Sequence, residues 1–433
     1  MAEIRPVKAW RYNRELSRSI DEQTSPLFDV ISEEQRAALY GNPYNSIHLS
    51  VPLHSETPAA AHETLKKWKR EGAIIQDKIP GIYVYYQYFS LPGNSKEYVR
   101  KGFISWIKAT DWNSPDSDIL RHENTMPHSV NDRIDVLKAT ELNVSPTHGL
   151  YFDEEFTLEE YMDEAIKSPI YESEDYQGVK DVLAVIHDKK VISKFIERIK
   201  TEKIILADGH HRMEGSMIYR KEMIGKTGDS EAAFNYHLMY LTNGSSDDLR
   251  ILPTHRLIEG VSNFDRTELI EKLSPYFIIK KIDNPYDVSD IILGKPWAFG
   301  LLFDDETYKV RLKPECLEEL NWNFPDSIKK LDLTVMHYFI IQHGLGIEGK
   351  YQRNSRHIMF ERNFGKCVKR VLKGEVQMAI ITQDIDMEIV KEVCHSGYTL
   401  PQKSTYFYPK AICGFLFGSI KEDEFKLPID PSF

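Results

Sequence analysis

The sequence contains few cysteines and no long apolar run. Four cysteines occur among 433 residues, at Cys316, Cys367, Cys394 and Cys413, and no two have Cys-x-x-Cys spacing. This argues against a disulfide framework and a cysteine-rich zinc site. No segment approaches the roughly 18 apolar residues of a membrane helix, and the first ten residues lack the apolar stretch of a signal peptide. We therefore expect a cytoplasmic protein without a membrane partner.

Positive charge is also scarce. The chain has 55 Lys and Arg residues against 66 Asp and Glu residues, a formal net charge of -11. A protein that binds a nucleic-acid backbone needs a dense basic face, so the composition argues against nucleic acid as a partner. A small phosphorylated ligand needs only a few local charges and stays compatible with this balance. The oligomeric state cannot be inferred from the composition.

What the chain does have is ample material for a folded core. Hydrophobic residues make up 41% and charged residues 28%, as in soluble globular proteins. At about 150 residues per domain, the length predicts two or three domains. We divide the chain into an N-terminal α+β region (1–110), a core (111–245) and a C-terminal α+β region (246–433), and predict an α+β fold.

Apolar periodicity and turn residues predict the main elements. Strands are expected at residues 81–90, 103–108, 181–186, 203–207, 236–241, 277–281, 297–303 and 377–382. Helices are expected at residues 63–71, 131–142, 191–200, 267–273, 331–343 and 387–394. The first two strands are separated by turn residues, so they should form an antiparallel pair.

The most informative segment is Asp-Gly-His-His-Arg at residues 208–212. It follows a short apolar strand, and a helical stripe of Met213 and Met217 follows it. The first N–H groups of a helix lack intrahelical partners and favour an anion. Gly209, His211 and Arg212 would bind phosphate, while His210 would assist catalysis.

Asp208 would hold Mg²⁺ that is itself bound to phosphate oxygens. A simpler alternative is that Asp208 caps the helix and its polar neighbours are solvated. A third is metal binding by the His pair, although adjacent side chains point in different directions.

Three further polar clusters are candidates for the same site. His122, Glu123 and Thr125 belong to the segment RHENT, in which Glu123 is either a general base for a hydroxyl or a surface residue that caps a helix. His255 and Arg256 end the segment LPTHR and would otherwise lie in a solvated turn. Lys403, Ser404, Thr405 and Tyr406 lie in PQKSTYFYPK, which offers donors and aromatic walls for a pocket, or forms an aromatic edge strand.

These blocks together resemble the bacterial and archaeal family called domain of unknown function 1015. The resemblance runs over nearly the whole chain, through SPLFDVIS (25–32), NPYNSIHLSVP (42–52), RHENT, DGHHR, LPTHR and PQKSTYFYPK. Members of the family usually read closer to PPYDVIS in the first block, so Leu27 and Phe28 depart from the pattern there.

A remoter resemblance links DGHHR to the ParB-like and sulfiredoxin-like superfamily, which includes a free serine kinase. It implies a ParB-like core, with the terminal α+β regions packed around it. It also implies that residues 208–212 bind nucleotide phosphates with Mg²⁺ and ATP or ADP, and that Glu123 is the base. We then expect Glu123, residues 208–212 and residues 403–406 to meet at one cleft.

Three functions are compatible with these observations. The first is a nucleotide-dependent phosphotransferase, such as a kinase of free serine or another small hydroxylated metabolite. The second is a nucleotide-binding regulatory protein with little turnover. The third, a ParB-type nucleic-acid-binding protein, is the least compatible with the acidic composition.

Overall fold

The chain divides into two compact units in the computed structural model. It describes residues 2–15, 19–27, 31–51, 58–91, 95–114, 117–175, 177–401 and 403–426. Unit 1 comprises Met1–Arg121, Thr125–Leu249 and Pro409–Phe433, and unit 2 comprises His122–Asn124 and Arg250–Tyr408. Each unit therefore draws on separate stretches of chain. The three sequence regions proposed above remain a prediction.

The strands are short in the terminal segments and longest in the aromatic region near residue 100. In chain order they are β1 (Ile4–Arg5), β2 (Trp10–Tyr12), β3 (Ile74–Gln76), β4 (Ile82–Ser90), β5 (Glu97–Lys108), β6 (Ile119–Arg121), β7 (Leu142–Asn143), β8 (Thr147–Tyr151), β9 (Tyr171–Glu174), β10 (Lys180–Ile186), β11 (Ile204–Asp208), β12 (Tyr236–Asn243), β13 (Arg250–Leu252), β14 (His255–Ile258), β15 (Phe277–Ile282), β16 (Ala298–Leu302), β17 (Thr307–Leu312), β18 (Ile358–Glu361), β19 (Met378–Ile381), β20 (Tyr406–Tyr408) and β21 (Gly418–Ser419).

The helices flank these strands. They are α1 (Glu33–Tyr40), α2 (Ile47–Ser50), α3 (Pro58–Glu71), α4 (Pro127–Thr140), α5 (Glu159–Ala165), α6 (Lys189–Lys200), α7 (His210–Thr227), α8 (Arg266–Leu273), α9 (Val288–Ile292), α10 (Asp326–Lys329), α11 (Asp332–Val335), α12 (Gly349–Gln352), α13 (Phe364–Leu372), α14 (Met387–Ser396) and α15 (Glu422–Phe425). Short 3₁₀ segments lie at Ala233–Asn235, Pro285–Asp287 and Pro314–Glu319, and Met336–Gly344 is a π-helix.

Unit 1 is built on a large mixed sheet with the order β6-β11-β8-β12-β5-β4-β10-β9, in which β1 also pairs with β5. The β11–β6 and β12–β8 pairings are parallel. Side chains alternate across the sheet. Ile82 and Val84 of β4 therefore enter the core that includes Phe195 of α6, whereas Tyr83 and Tyr85 enter a second core on the opposite face. The C-terminal segment, through Phe415 and Leu416, covers this second face.

Unit 2 contains a separate antiparallel sheet with the order β15-β17-β16-β19-β14-β18. The π-helix and α8 contribute to one hydrophobic core, in which Phe339 and Leu269 are buried. On the other side, Val288 of α9 and Val368 of α13 pack in a second core. Strand β20 pairs with β13 as a short antiparallel ribbon.

The sequence predicted the element types well and some boundaries less well. The two strands β4 and β5 pair antiparallel, as expected. Residues 92–94 of the turn between them lie outside the described residues, as does Phe28. The helix expected at 131–142 starts earlier and ends at Thr140, because Leu142 enters β7. The helix expected at 331–343 begins as α11 and continues as the π-helix.

Two expectations about composition can be compared with the structure. Within the described residues, no helix is long and apolar enough to cross a membrane. Cys316, Cys367, Cys394 and Cys413 are buried free thiols. Burial raises the pKa of Cys394 to about 12, which makes this thiol a poor nucleophile at neutral pH.

Candidate functional site

The central feature of unit 1 is the junction between β11 and α7. Strand β11 is buried except at its last residue, Asp208, and α7 starts two residues later at His210. Gly209 lies between them as the helix N-cap, with a φ of 90°. A Cβ atom at this position would lie 2.6 Å from Thr147 Cγ2, so glycine is required sterically as well as conformationally. Asp208 is therefore not the N-cap, contrary to the simpler alternative.

Asp208 accepts bonds from two cationic side chains. Arg212 Nη2 donates to Asp208 Oδ2 over 2.9 Å, and Lys410 Nζ donates to Asp208 Oδ1. The three side chains are only 8–13% exposed. We call Asp208, Arg212 and Lys410 the ionic triad. Two cations share one carboxylate, so the triad carries an excess positive charge.

The electrostatics of the triad keep Asp208 ionised. Burial opposes the charged form, but Lys410 and Arg212 outweigh it and hold the pKa of Asp208 well below its ordinary value. A magnesium ion bound directly to Asp208 does not fit this arrangement, because both carboxylate oxygens already accept bonds from cations. In the part of the chain that the structure describes, no group of three or more His, Cys, Asp or Glu side chains is placed to hold a metal ion.

Arg212 is anchored on its far side as well. Its Nη1 donates to Ser145 Oγ over 2.8 Å and to the Pro146 carbonyl over 2.7 Å. The guanidinium group thus donates to groups within unit 1, whereas the motif predicted that it holds phosphate. The phosphate role of Arg212 stays a prediction.

The two histidines of the motif have different surroundings. His210 is buried at the first position of α7. His211 is partly buried, and its Nε2 accepts from the Met126 backbone N–H over 3.0 Å. One turn further along α7, Glu214 Oε2 accepts from Thr125 Oγ1. The start of α7 therefore also holds the chain segment that leads into α4.

Lys410 reaches the triad because the C-terminal segment crosses the sheet face. Gln87 Nε2 donates to the Lys410 carbonyl over 3.0 Å, and the Ile412 N–H donates to Tyr85 Oη over 3.2 Å. Arg100 Nη2 donates to the Pro409 carbonyl. These bonds fix the backbone on both sides of Lys410 and so position its side chain beside Asp208.

A second buried carboxylate, that of Asp181, bonds the side chains of Tyr85 and Gln87, which hold the C-terminal segment. Asp181 Oδ1 accepts from Tyr85 Oη over 2.5 Å and from Gln87 Nε2 over 2.7 Å. Burial raises the pKa of Asp181 to about 7, although both bonds act to lower it. Asp181 therefore differs from Asp208 in having neutral donors.

Unit 2 contains the other predicted cluster, centred on Glu123. Glu123 Oε1 accepts from the Ser404 N–H over 3.2 Å, the Thr405 N–H over 3.4 Å and Thr405 Oγ1 over 3.3 Å. His122, which is fully buried, bonds Thr405 Oγ1 through its Nε2 over 2.6 Å. The segments around Glu123 and Leu400 also form a parallel β-bridge.

The remaining predicted residues of unit 2 are mostly buried. Arg256 is fully buried, and this burial lowers its pKa to about 9 even though Glu123 acts in the opposite direction. His255 accepts from the Thr382 N–H over 3.3 Å, and burial lowers its pKa to about 4. Tyr406 is in β20, with the Arg362 guanidinium 3.8 Å from its ring centroid. Lys403 has a positive φ of 55°.

Two of the three predicted blocks therefore meet in unit 2: Glu123 of the first block contacts Ser404 and Thr405 of the last. In unit 1 the structure groups residues 208–212 with Lys410, Ser145 and Glu214, none of which is among the predicted site residues. Lys410 ends the block PQKSTYFYPK, but its contact with Asp208 spans 202 residues. The meeting of all three blocks stays a prediction, as do the roles of the individual residues.

Comparison with known families assigns the chain to one of them. The sequence model of the family described as "Protein of unknown function (DUF1015)" matches residues 4–334, which is more than half of the chain. The chain belongs to this family. No curated protein matches it.

Several solved structures are similar to this family member at low identity. A conserved hypothetical protein from Pyrococcus furiosus is 13% identical, with a TM-score of 0.38, and covers 74% of this chain and 97% of its own. A free serine kinase in complex with AMP is 11% identical, with a TM-score of 0.37, and the match covers 75% and 93%. C-terminally truncated SbnI from Staphylococcus aureus is 10% identical, with a TM-score of 0.37, covering 74% and 90%.

Proposed function

We propose that this protein binds the phosphate groups of a nucleotide at the start of α7 and transfers a phosphoryl group to a small hydroxylated metabolite, such as free serine. The observation that carries the proposal is the ionic triad at the β11–α7 junction. We also propose that the core, residues 111–245, is ParB-like.

The excess positive charge of the triad supports an anionic ligand. Lys410 and Arg212 share one carboxylate, so one positive charge is not balanced within the triad. The beginning of the 18-residue helix α7 adds partial positive charge in the same place. Both features favour a phosphate group over a neutral ligand.

In the proposed reaction, the triad contributes electrostatics rather than proton transfer. Asp208 stays ionised and positions Lys410 and Arg212, whose charges oppose the negative charge that develops on the transferring phosphoryl group. Magnesium enters the proposal only as nucleotide-bound Mg²⁺, because the carboxylate of Asp208 is occupied by cations.

Glu123 is the proposed base. The bonds described above all reach its Oε1 and hold the carboxylate in one orientation. A carboxylate held in this way can accept a proton from an attacking hydroxyl through its second oxygen. If Glu123 is the base, the molecule that accepts the phosphoryl group must carry a hydroxyl group, and serine is the first such molecule to test.

The decisive experiment combines binding and turnover. We expect ATP or ADP, with Mg²⁺, to raise the Tm of the full-length protein, and a mixture of nucleotide and serine to yield phosphoserine. Lys410→Met should weaken nucleotide binding about 10-fold or more, since a charge-assisted bond contributes about 1.5–3 kcal/mol. Lys421→Met, which alters a distant lysine of the same C-terminal segment, is the matched control. Equal affinity in the two variants would contradict the proposal.

A regulatory protein with little turnover is the second candidate. It is favoured by the fact that Asp208 and Glu123 are both engaged in bonds that hold the structure. Stoichiometric nucleotide binding without a phosphorylated product above background, across a set of hydroxylated acceptors, would support it.

A further inference from the structure

A small cavity in unit 1 has Arg212 in its lining. Its volume is about 30 Å³, enough for one species of the size of a water molecule. Ten residues line it: Arg133, Val136, Leu137, Leu142, Asn143, Val144, Ser145, Arg212, Ser216 and His237. A phosphate or sulfate, with four oxygens around its centre, is too large for this space.

Three polar atoms at this cavity have no hydrogen-bond partner among the described residues: Arg212 Nε, Asn143 Nδ2 and His237 Nε2. Their residues are 8%, 6% and 2% exposed. Arg212 Nε and Asn143 Nδ2 are hydrogen-bond donors only. Leaving buried donors unsatisfied costs about 1–3 kcal/mol each, so such groups mark a place for an acceptor.

The charge around the cavity is positive. Arg133 and Arg212 both line it, and none of the described lining residues carries a carboxylate. The two arginines form ion pairs with Asp132 and Asp208, neither of which is among the residues that line the cavity.

His237 completes the lining. Its Nδ1 bonds Ser216 Oγ over 2.7 Å, which leaves Nε2 at the cavity. Burial lowers the pKa of His237 to about 3, and the charge of Arg212 adds to this effect. The imidazole is neutral at neutral pH, and when Ser216 donates to Nδ1, Nε2 carries the proton. The residues that line the cavity then include three buried donors without an acceptor.

We propose that this cavity is a binding site for a single monovalent halide ion, chloride in the cell. The ion would accept from Arg212 Nε and Asn143 Nδ2, two buried donors to which the described residues supply no acceptor. The site shares Arg212 with the proposed nucleotide site, but its test does not require nucleotide binding. The bound halide would also hold the Arg212 guanidinium group in its orientation.

The test uses the full-length protein at constant ionic strength, with bromide, chloride or gluconate as the anion. Bromide and chloride should raise the Tm relative to gluconate by about 2 °C at ten times the dissociation constant. Crystals grown with bromide should show an anomalous peak between Arg212 and Asn143. Equal Tm values in the three anions, or bromide crystals without that peak, would overturn the proposal.

Asn143→Asp provides a sharper variant. Asn143 Oδ1 accepts from the Leu238 N–H over 3.5 Å, a contact that aspartate retains. The new carboxylate oxygen would replace the halide beside Arg212, so the variant should lose the Tm difference between chloride and gluconate. Asn131→Asp, at an exposed position of α4, is the matched control and should keep it. If Asn143→Asp folds poorly, the bromide peak in the unmodified protein decides alone.

Discussion

Asp208 in unit 1 and Glu123 in unit 2 are both held by several donors, but the donors differ in kind. Asp208 accepts from two charged side chains in a buried setting. Glu123 accepts from two backbone N–H groups and a hydroxyl, and it is partly exposed. Charged partners lock a carboxylate in its ionised form, whereas neutral hydrogen-bond donors orient it without adding a charge. The proposed function follows this difference, with electrostatic support from Asp208 and proton transfer at Glu123.

Removing the charge of Asp208 should have the largest effect on stability. Asp208→Asn removes the carboxylate that the buried Lys410 and Arg212 side chains share, which costs about 3–5 kcal/mol in the free energy of unfolding. Denaturant titration measures this loss. Glu268→Gln, which removes an exposed pair with Lys272, is the control and should change the free energy of unfolding little.

The double variant Asp208→Asn with Lys410→Met separates the two contributions. It should recover part of the loss, because the protein then buries one cation fewer. A single Asp208→Asn variant as stable as the unmodified protein would show that the triad does not depend on its carboxylate.

Asp181 separates the effect of burial from the effect of charged partners. Its folded pKa is raised to about 7 from 3.8, so between these values the folded state binds more protons than the unfolded state, and stability falls as pH rises. Asp181→Asn should remove roughly 2–4 kcal/mol of this pH dependence. Asp208, with a lowered pKa, contributes in the opposite sense: its stabilisation is present above its unfolded pKa and is lost as pH falls.

Unfolding free energies measured across pH 4 to 8 test the sign for Asp181. Asp181→Asn should be the more stable protein at pH 8, and the difference should shrink towards pH 4. Parallel profiles for the two proteins would mean that Asp181 does not retain its proton in the folded state.

Gly209 tests whether the backbone at the β11–α7 junction matters as much as its charges. Gly209→Ala introduces a Cβ atom close to Thr147 and Arg212 at a positive φ, which should cost about 1–3 kcal/mol. Gly225→Ala in the same helix is the matched control, since nothing lies within 4 Å of its Cβ and alanine should stabilise an exposed helical position by about 0.5–1 kcal/mol. Equal melting temperatures for the two variants would remove the steric argument.

The sequence was most informative where local patterns decide the structure. The apolar run 204–207, the following glycine and the helical stripe predicted the β11–α7 junction almost to the residue. The sequence did not predict contacts between residues that are far apart in the chain. No local pattern shows that Lys410 lies beside Asp208, or that Arg212 donates to Ser145. Such pairings depend on the path of the C-terminal segment over the sheet. The edge strand at Tyr406, in contrast, was a stated alternative and is present as β20.

Glu123 should be the position at which stability changes least. Glu123→Gln keeps an oxygen that accepts from Ser404 and Thr405, so the free energy of unfolding should change by less than about 1 kcal/mol. Nucleotide affinity should also be retained, whereas phosphoryl transfer should fall about 100-fold or more, since a glutamine cannot take the proton of the acceptor. Binding by thermal shift and product formation under single-turnover conditions measure the two quantities separately. Unchanged turnover would place the base elsewhere and would leave Glu123 as a residue that only joins two segments of unit 2.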